Sequence, residues 1–69
     1  MPHIAVMLYP GRSDEIKQKA AEGIKNVVMQ ELGVSAEAVS VSFFDVPKEE
    51  FKEKVMAKIP DDKIVLGHK

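Results

Sequence analysis

Two stretches of alternating polarity, residues 3–9 and 39–46, stand either side of one long stretch with helical periodicity, and that order admits few architectures. In the first, Ile4, Val6 and Leu8 share one strand face, while His3, Ala5, Met7 and Tyr9 share the other. In the second, Val39, Val41 and Phe43 form an apolar face, and Ser40, Ser42, Phe44 and Val46 form a mixed one. Between them Ile16, Ala20, Ile24, Val27, Val28 and Leu32 recur mostly three or four apart, with Lys17, Lys19, Glu22 and Lys25 on the other side. Ser13 stands where an N-cap belongs, Asp14 and Glu15 suit a helix N-terminus, and Gly33 follows as a C′ residue would. The spacing predicts a helix over about 13–32. Strand, helix and strand then make a βαβ unit, whose parallel strands are joined by a right-handed crossover. Its helix is expected to cover the face made by Ile4, Val6, Leu8, Val39, Val41 and Phe43.

Residues 35–38 read as a short turn or one loop of 3₁₀ helix. Pro47 suits a helix start, since its missing N–H is not needed there. Phe51, Val55 and Ile59 follow as one helical stripe with Met56 beside them, and Pro60-Asp61-Asp62 stops the helix. Ile64-Val65-Leu66 reads as a short strand suited to pairing with a neighbouring subunit. The expected fold class is α/β: a β-α-β unit with parallel strands and a C-terminal helix, one domain over residues 1–69, completed by oligomerisation. A two-stranded parallel sheet leaves both edges and one face open. A chain of 69 residues buries only about 60% of its unfolded surface. Cysteine is absent, which excludes disulfides, and His3 and His68 lie at opposite ends with no partners for a structural metal. Partner copies remain as the reinforcement. The expectation is a homodimer, or a hexamer built as a trimer of dimers.

The formal net charge is −1 with both signs interleaved, so no basic face marks a nucleic-acid partner. Arg12 is the one arginine among ten basic residues, which argues against a multi-arginine clamp. No signal-like segment opens the sequence, and no apolar run approaches the roughly 20 residues of a membrane span. A cytoplasmic protein without a membrane partner is expected.

The candidate chemistry sits at the front of the chain. Pro2 behind Met1 is a favourable context for removal of the methionine, which leaves a secondary amine. That amine becomes a good proton acceptor when apolar surroundings and a nearby cation disfavour its ammonium form. Arg12 lies past the far end of the first strand, so unless the chain folds back it serves the amine only in a site built between subunits. Taken singly, Arg12 reads more readily as a solvated loop residue than as a ligand clamp, Phe51 more readily as core than as pocket wall, and His3 as a surface strand residue.

Met-Pro, an alternating strand, and Gly11-Arg12-Ser13-Asp14-Glu15 opening a long helix together resemble the 4-oxalocrotonate tautomerase-like family of the tautomerase superfamily. The resemblance runs from Pro2 to about Phe51, and Val39-Ser40-Val41 agrees in position. It implies a cofactor-independent isomerase that interconverts keto and enol forms of a small carboxylate substrate. By the same resemblance Pro2 is the general base, Arg12 binds the substrate carboxylate, and Phe51 supplies an apolar wall. Two departures accompany it. Ser40 stands where better known members carry a second arginine, and Lys48 or Lys52 could replace it only as point charges. This favours a monocarboxylate 2-keto acid of the phenylpyruvate type over a dicarboxylate. From Pro47 onward a helix replaces the family's glycine-rich hairpin region. Two other functions stay open: hydratase or lyase chemistry on the same amine, aided by Glu49 or Asp45, and a non-catalytic oligomeric interaction module, which a retained Met1 would favour.

Overall fold

The computed structural model describes residues 1–67. Strand β1 (His3–Leu8) leads into helix α1 (Asp14–Leu32) and strand β2 (Ser40–Asp45), followed by the short helix α2 (Lys48–Lys54). The strands pair in parallel as a two-stranded sheet, with Ile4 opposite Val41 and Val6 opposite Phe43 on the face that α1 covers. The backbone ladder extends past both strand ends. Ser40 N–H donates to the Pro2 carbonyl at 3.2 Å, and Val46 N–H donates to the Leu8 carbonyl at 2.8 Å. β1 ends one residue earlier than the alternation suggested and β2 is one residue shorter at each end, and the expected βαβ order is the one observed.

Helix α1 begins and ends where its local chemistry dictates. Ser13 is extended (φ −74°, ψ 162°) and its Oγ accepts the Ile16 N–H at 3.2 Å, satisfying one of the helix's free donors. Gly33 is left-handed (φ 65°, ψ 41°) and donates its N–H to the Met29 carbonyl, a conformation a Cβ makes costly. The buried stripe differs from expectation. Ala21, Ile24, Val28 and Met29 are half-buried, with Lys17 and Lys25 laying their aliphatic stems along the same face. Ile16, Val27 and Leu32 are 54%, 59% and 63% exposed, and Ala20 is exposed too. Residues 16, 20, 23 and 27 form a neighbouring row of the helix, and a sheet only two strands wide cannot cover both rows. Lys17 Nζ also reaches Asp45 Oδ2 at 2.9 Å, tying the first turn of α1 to the end of β2.

The second helix is shorter than the stripe Phe51, Val55 and Ile59 implied. It ends at Lys54, Val55 departs from helical geometry (φ −117°, ψ −67°), and Met56–Lys58 tighten into a 3₁₀ turn. Ile59 is already extended (φ −102°, ψ 115°), as the clash with the following proline ring requires, and its side chain is exposed rather than on the stripe. Ser35 precedes the expected 3₁₀ turn at Ala36–Ala38. Ile64-Val65-Leu66 forms no strand within the protomer, where Val65 and Leu66 are almost fully exposed. His68 lies outside the described residues. No helix among the described residues is long and apolar enough to cross a membrane.

Candidate active site

Pro10 and Gly11 turn the chain after β1, and Gly11 takes φ 124°, a region that suits only glycine. Arg12 is therefore held between a glycine turn and the capping Ser13, which fixes its backbone while leaving the side chain exposed. From the other side Pro47 starts α2, whose first turn carries Phe51 back over the end of β1. The Phe51 ring meets Tyr9 edge-on, with centroids 4.9 Å apart and planes at 83°. Leu8, Tyr9, Arg12 and Phe51 line a cavity of about 300 Å³ that is shallow and open to solvent on one side in the protomer. A guanidinium beside two aromatic rings can take one carboxylate together with a flat apolar group.

Arg12 and Phe51, both singled out by the family resemblance, thus line one cavity. Pro2 does not line it. The amine end and the cavity lie at opposite ends of β1, whose six residues span about 20 Å. Tyr9 was read only as part of a strand face. Its position directly before Pro10-Gly11-Arg12 is the signal that places it beside the arginine once the turn forms. Leu8, assigned to the core, also contributes to the cavity wall.

The remaining polar candidates are placed elsewhere. Lys48 and Lys52 are exposed and do not line the cavity. Glu49 is exposed in the first turn of α2. Asp45 is the last residue of β2, paired with Lys17. Ser40 faces away from α1 and lies 2.6 Å from His3 Nδ1. Among the described residues no cluster of three or more His, Cys, Asp or Glu is arranged to hold a metal ion.

Known proteins resemble this chain in sequence and fold. The family described as "Tautomerase enzyme" matches residues 2–52, most of the chain. The "probable tautomerase" of Xylella fastidiosa (strain 9a5c) is 40% identical over 55 residues, covering 80% of this chain and 67% of that one. TomN, a 4-oxalocrotonate tautomerase homologue of the tomaymycin biosynthetic pathway, superposes with a TM-score of 0.68 at 32% identity, over 72% of this chain and 77% of its own. A 4-oxalocrotonate tautomerase isozyme structure from Methylibium petroleiphilum gives 0.66 at 35% identity, over 70% and 77%. With a family match over residues 2–52, a relative at 40% identity and the βαβ order in place, the chain belongs to the tautomerase family, with a 4-oxalocrotonate tautomerase-like fold.

Proposed function

We propose that the protein is a cofactor-independent tautomerase acting on a small 2-keto acid and its enol, with Pro2 as general base once Met1 is removed. The observation that carries this reading is the open cavity that Arg12 lines together with the paired Tyr9 and Phe51 rings. It offers one fork for one carboxylate and an apolar slot beside it, which suits a monocarboxylate of the phenylpyruvate type. Because Pro2 lies at the opposite end of β1, the amine that serves this cavity comes from another protomer.

In the enol-to-keto direction, neutral Pro2 takes the enol hydroxyl proton while Arg12 of the neighbouring protomer holds the carboxylate. The electron pair shifts towards C3, and the prolinium returns the same proton there. The reverse reaction takes the proton from C3 and leaves it on oxygen. A single base serves both steps when its proton affinity suits the working pH. The apolar rings favour that condition by penalising the ammonium form.

The test is ketonisation of the enol of phenylpyruvate by protein whose N-terminus has been verified by intact mass. Pro2→Ala is expected to lower kcat by about 100-fold, the lower end of what a positioned base contributes. Arg12→Ala is expected to lower kcat/KM by a similar factor. Wild-type rates in both variants would rule the mechanism out.

A further inference from the structure

Helix α1 is fastened to the sheet unevenly. Its later turns lie against the sheet through Ala21, Ile24, Val28 and Met29, whereas Ile16, the apolar residue of the first turn, sits on the exposed row. From Asp14 to Ala20, Lys17 is the one residue that is not exposed, and its side chain is only 17% accessible. A lysine thus holds the place of an apolar anchor at the end of the helix that follows Arg12. Its ammonium donates to Asp45 Oδ2 at 2.9 Å. The other ion pairs among the described residues, Glu15–Lys19 and Glu50–Lys54, each lie within one helix, so Lys17–Asp45 is the pair there that joins two elements.

Both ends of this link lie beside the cavity. Asp45 stands opposite Leu8 in the strand register, and the next residue, Val46, donates its N–H to the Leu8 carbonyl. Leu8 lines the cavity together with Arg12. At the helix end, the Lys17 N–H donates to the carbonyl of Ser13, the residue after Arg12, at 3.1 Å. The ion pair therefore closes a ring that runs from Leu8 through the Pro10-Gly11 turn to Arg12, on to Lys17, across to Asp45 and back to Leu8. The glycine turn and the cap fix the Arg12 backbone relative to α1. The ion pair fixes the first turn of α1 relative to Leu8 and, through Val46 and Pro47, to the segment that carries Phe51.

We infer that Lys17 and Asp45 are a positioning pair for Arg12, setting its guanidinium against Leu8, Tyr9 and Phe51 and thereby the affinity for a substrate carboxylate. The inference rests on the reading of Arg12 as the carboxylate fork and names what holds that fork in place. Neither Lys17 nor Asp45 lines the cavity, so both act through Arg12. A planar fork grips a carboxylate only from the right direction, and a small displacement of a positioning group is felt strongly. An ion pair with one partner as exposed as Asp45 contributes little to overall stability, so its value lies in placement.

The experiment reads binding first and turnover second, on full-length protein with a verified N-terminus. Binding of 3-phenylpropanoate, followed through Tyr9 emission, is compared with that of 3-phenylpropanamide, which keeps the ring and has no charge. Lys17→Met keeps the aliphatic stem and removes the ammonium. It is expected to weaken the carboxylate about fivefold and to leave the amide within about twofold. Asp45→Asn is expected to weaken the carboxylate too, and it keeps the test open should Lys17→Met fail to fold. If the two side chains acted only as nearby charges, losing the cation would weaken an anion and losing the carboxylate would tighten it, so effects of one sign mark positioning. Lys17→Arg keeps the pair and most of the affinity, and in an Arg12→Ala background Lys17→Met has no further effect. In phenylenolpyruvate ketonisation Lys17→Met raises KM by the same factor with kcat within about twofold. Effects of opposite sign, wild-type affinity in both variants, equal weakening of the amide, or a further loss in the Arg12→Ala background overturns the inference, and an active wild type leaves the tautomerase reading standing. An inactive wild type with the expected binding pattern overturns the catalytic reading and supports the positioning pair. A wild type that does not bind the carboxylate overturns the fork and the pair with it.

Discussion

Tyr9 reports on the cavity from inside it. It is the sole tyrosine, and the chain has no tryptophan, so intrinsic emission comes from this residue alone. Its ring contacts Phe51 and lines the cavity with Arg12. An aryl carboxylate seated on the guanidinium therefore stacks near the fluorophore. Titration with 3-phenylpropanoate is expected to quench tyrosine emission saturably in the wild type and to need about tenfold more ligand in Arg12→Ala, the loss of one charge-assisted bond. Equal quenching in both proteins would place the ligand elsewhere. At this scale the sequence was partly legible. The turn at Gly11 and the cap at Ser13, which frame Arg12, were readable because both are local features, while the role proposed for Arg12 came from the family resemblance. Tyr9 was opaque because its partner, Phe51, lies 42 residues away and reaches it only after α2 folds back. The bridge from His3 to Ser40 and Ser42 was likewise invisible until strand register was known, although the alternation already put all three on outward faces.

Helix α1 has ends fixed by local chemistry and a middle fixed by its surroundings. At the C-terminal end, Gly33→Ala forces a Cβ into the left-handed region and is expected to cost about 1 kcal/mol, read as a lower denaturation midpoint at unchanged slope. Gly33→Asn should cost less than half as much, since asparagine tolerates that conformation. Equal losses in the two variants would show that something other than backbone conformation matters there. The same contrast explains why α1's boundaries were readable and its buried stripe was not. Ser13 and Gly33 act on their immediate neighbours. By contrast, the choice between the row containing Ala21, Ile24 and Val28 and the row containing Ile16 and Val27 depends on where a narrow sheet sits. Helix α2 was overestimated for a related reason: Phe51, Val55 and Ile59 keep helical spacing, yet Pro60 pulls Ile59 into extended geometry.

At the scale of the whole molecule, Val39 and Val55, at 6% and 8% exposure, are the buried hydrophobic residues among those described. So small a core fits a protomer whose folding is linked to self-association, and its melting temperature should rise with protein concentration. The separation of Pro2 from the cavity makes a sharper prediction. Pro2→Ala and Arg12→Ala chains, each inactive alone, are expected to regain roughly a quarter of wild-type activity when unfolded together in equal amounts and refolded. In a two-fold dimer half the molecules are mixed, and each mixed molecule has one intact site of two. No recovery would mean that base and fork belong to one chain. The strands carry a further consequence. β1 and β2 each have one unpaired edge, and along His3–Leu8 and Ser40–Asp45 there is no proline or lysine to blunt it; Asp45 is the lone acidic residue. In the proposed assembly a sister copy closes these edges, so a newly made chain would stay adhesive until that copy arrives, and the speed of the encounter, rather than the folding of the chain itself, should limit the yield of intact protein in a cell.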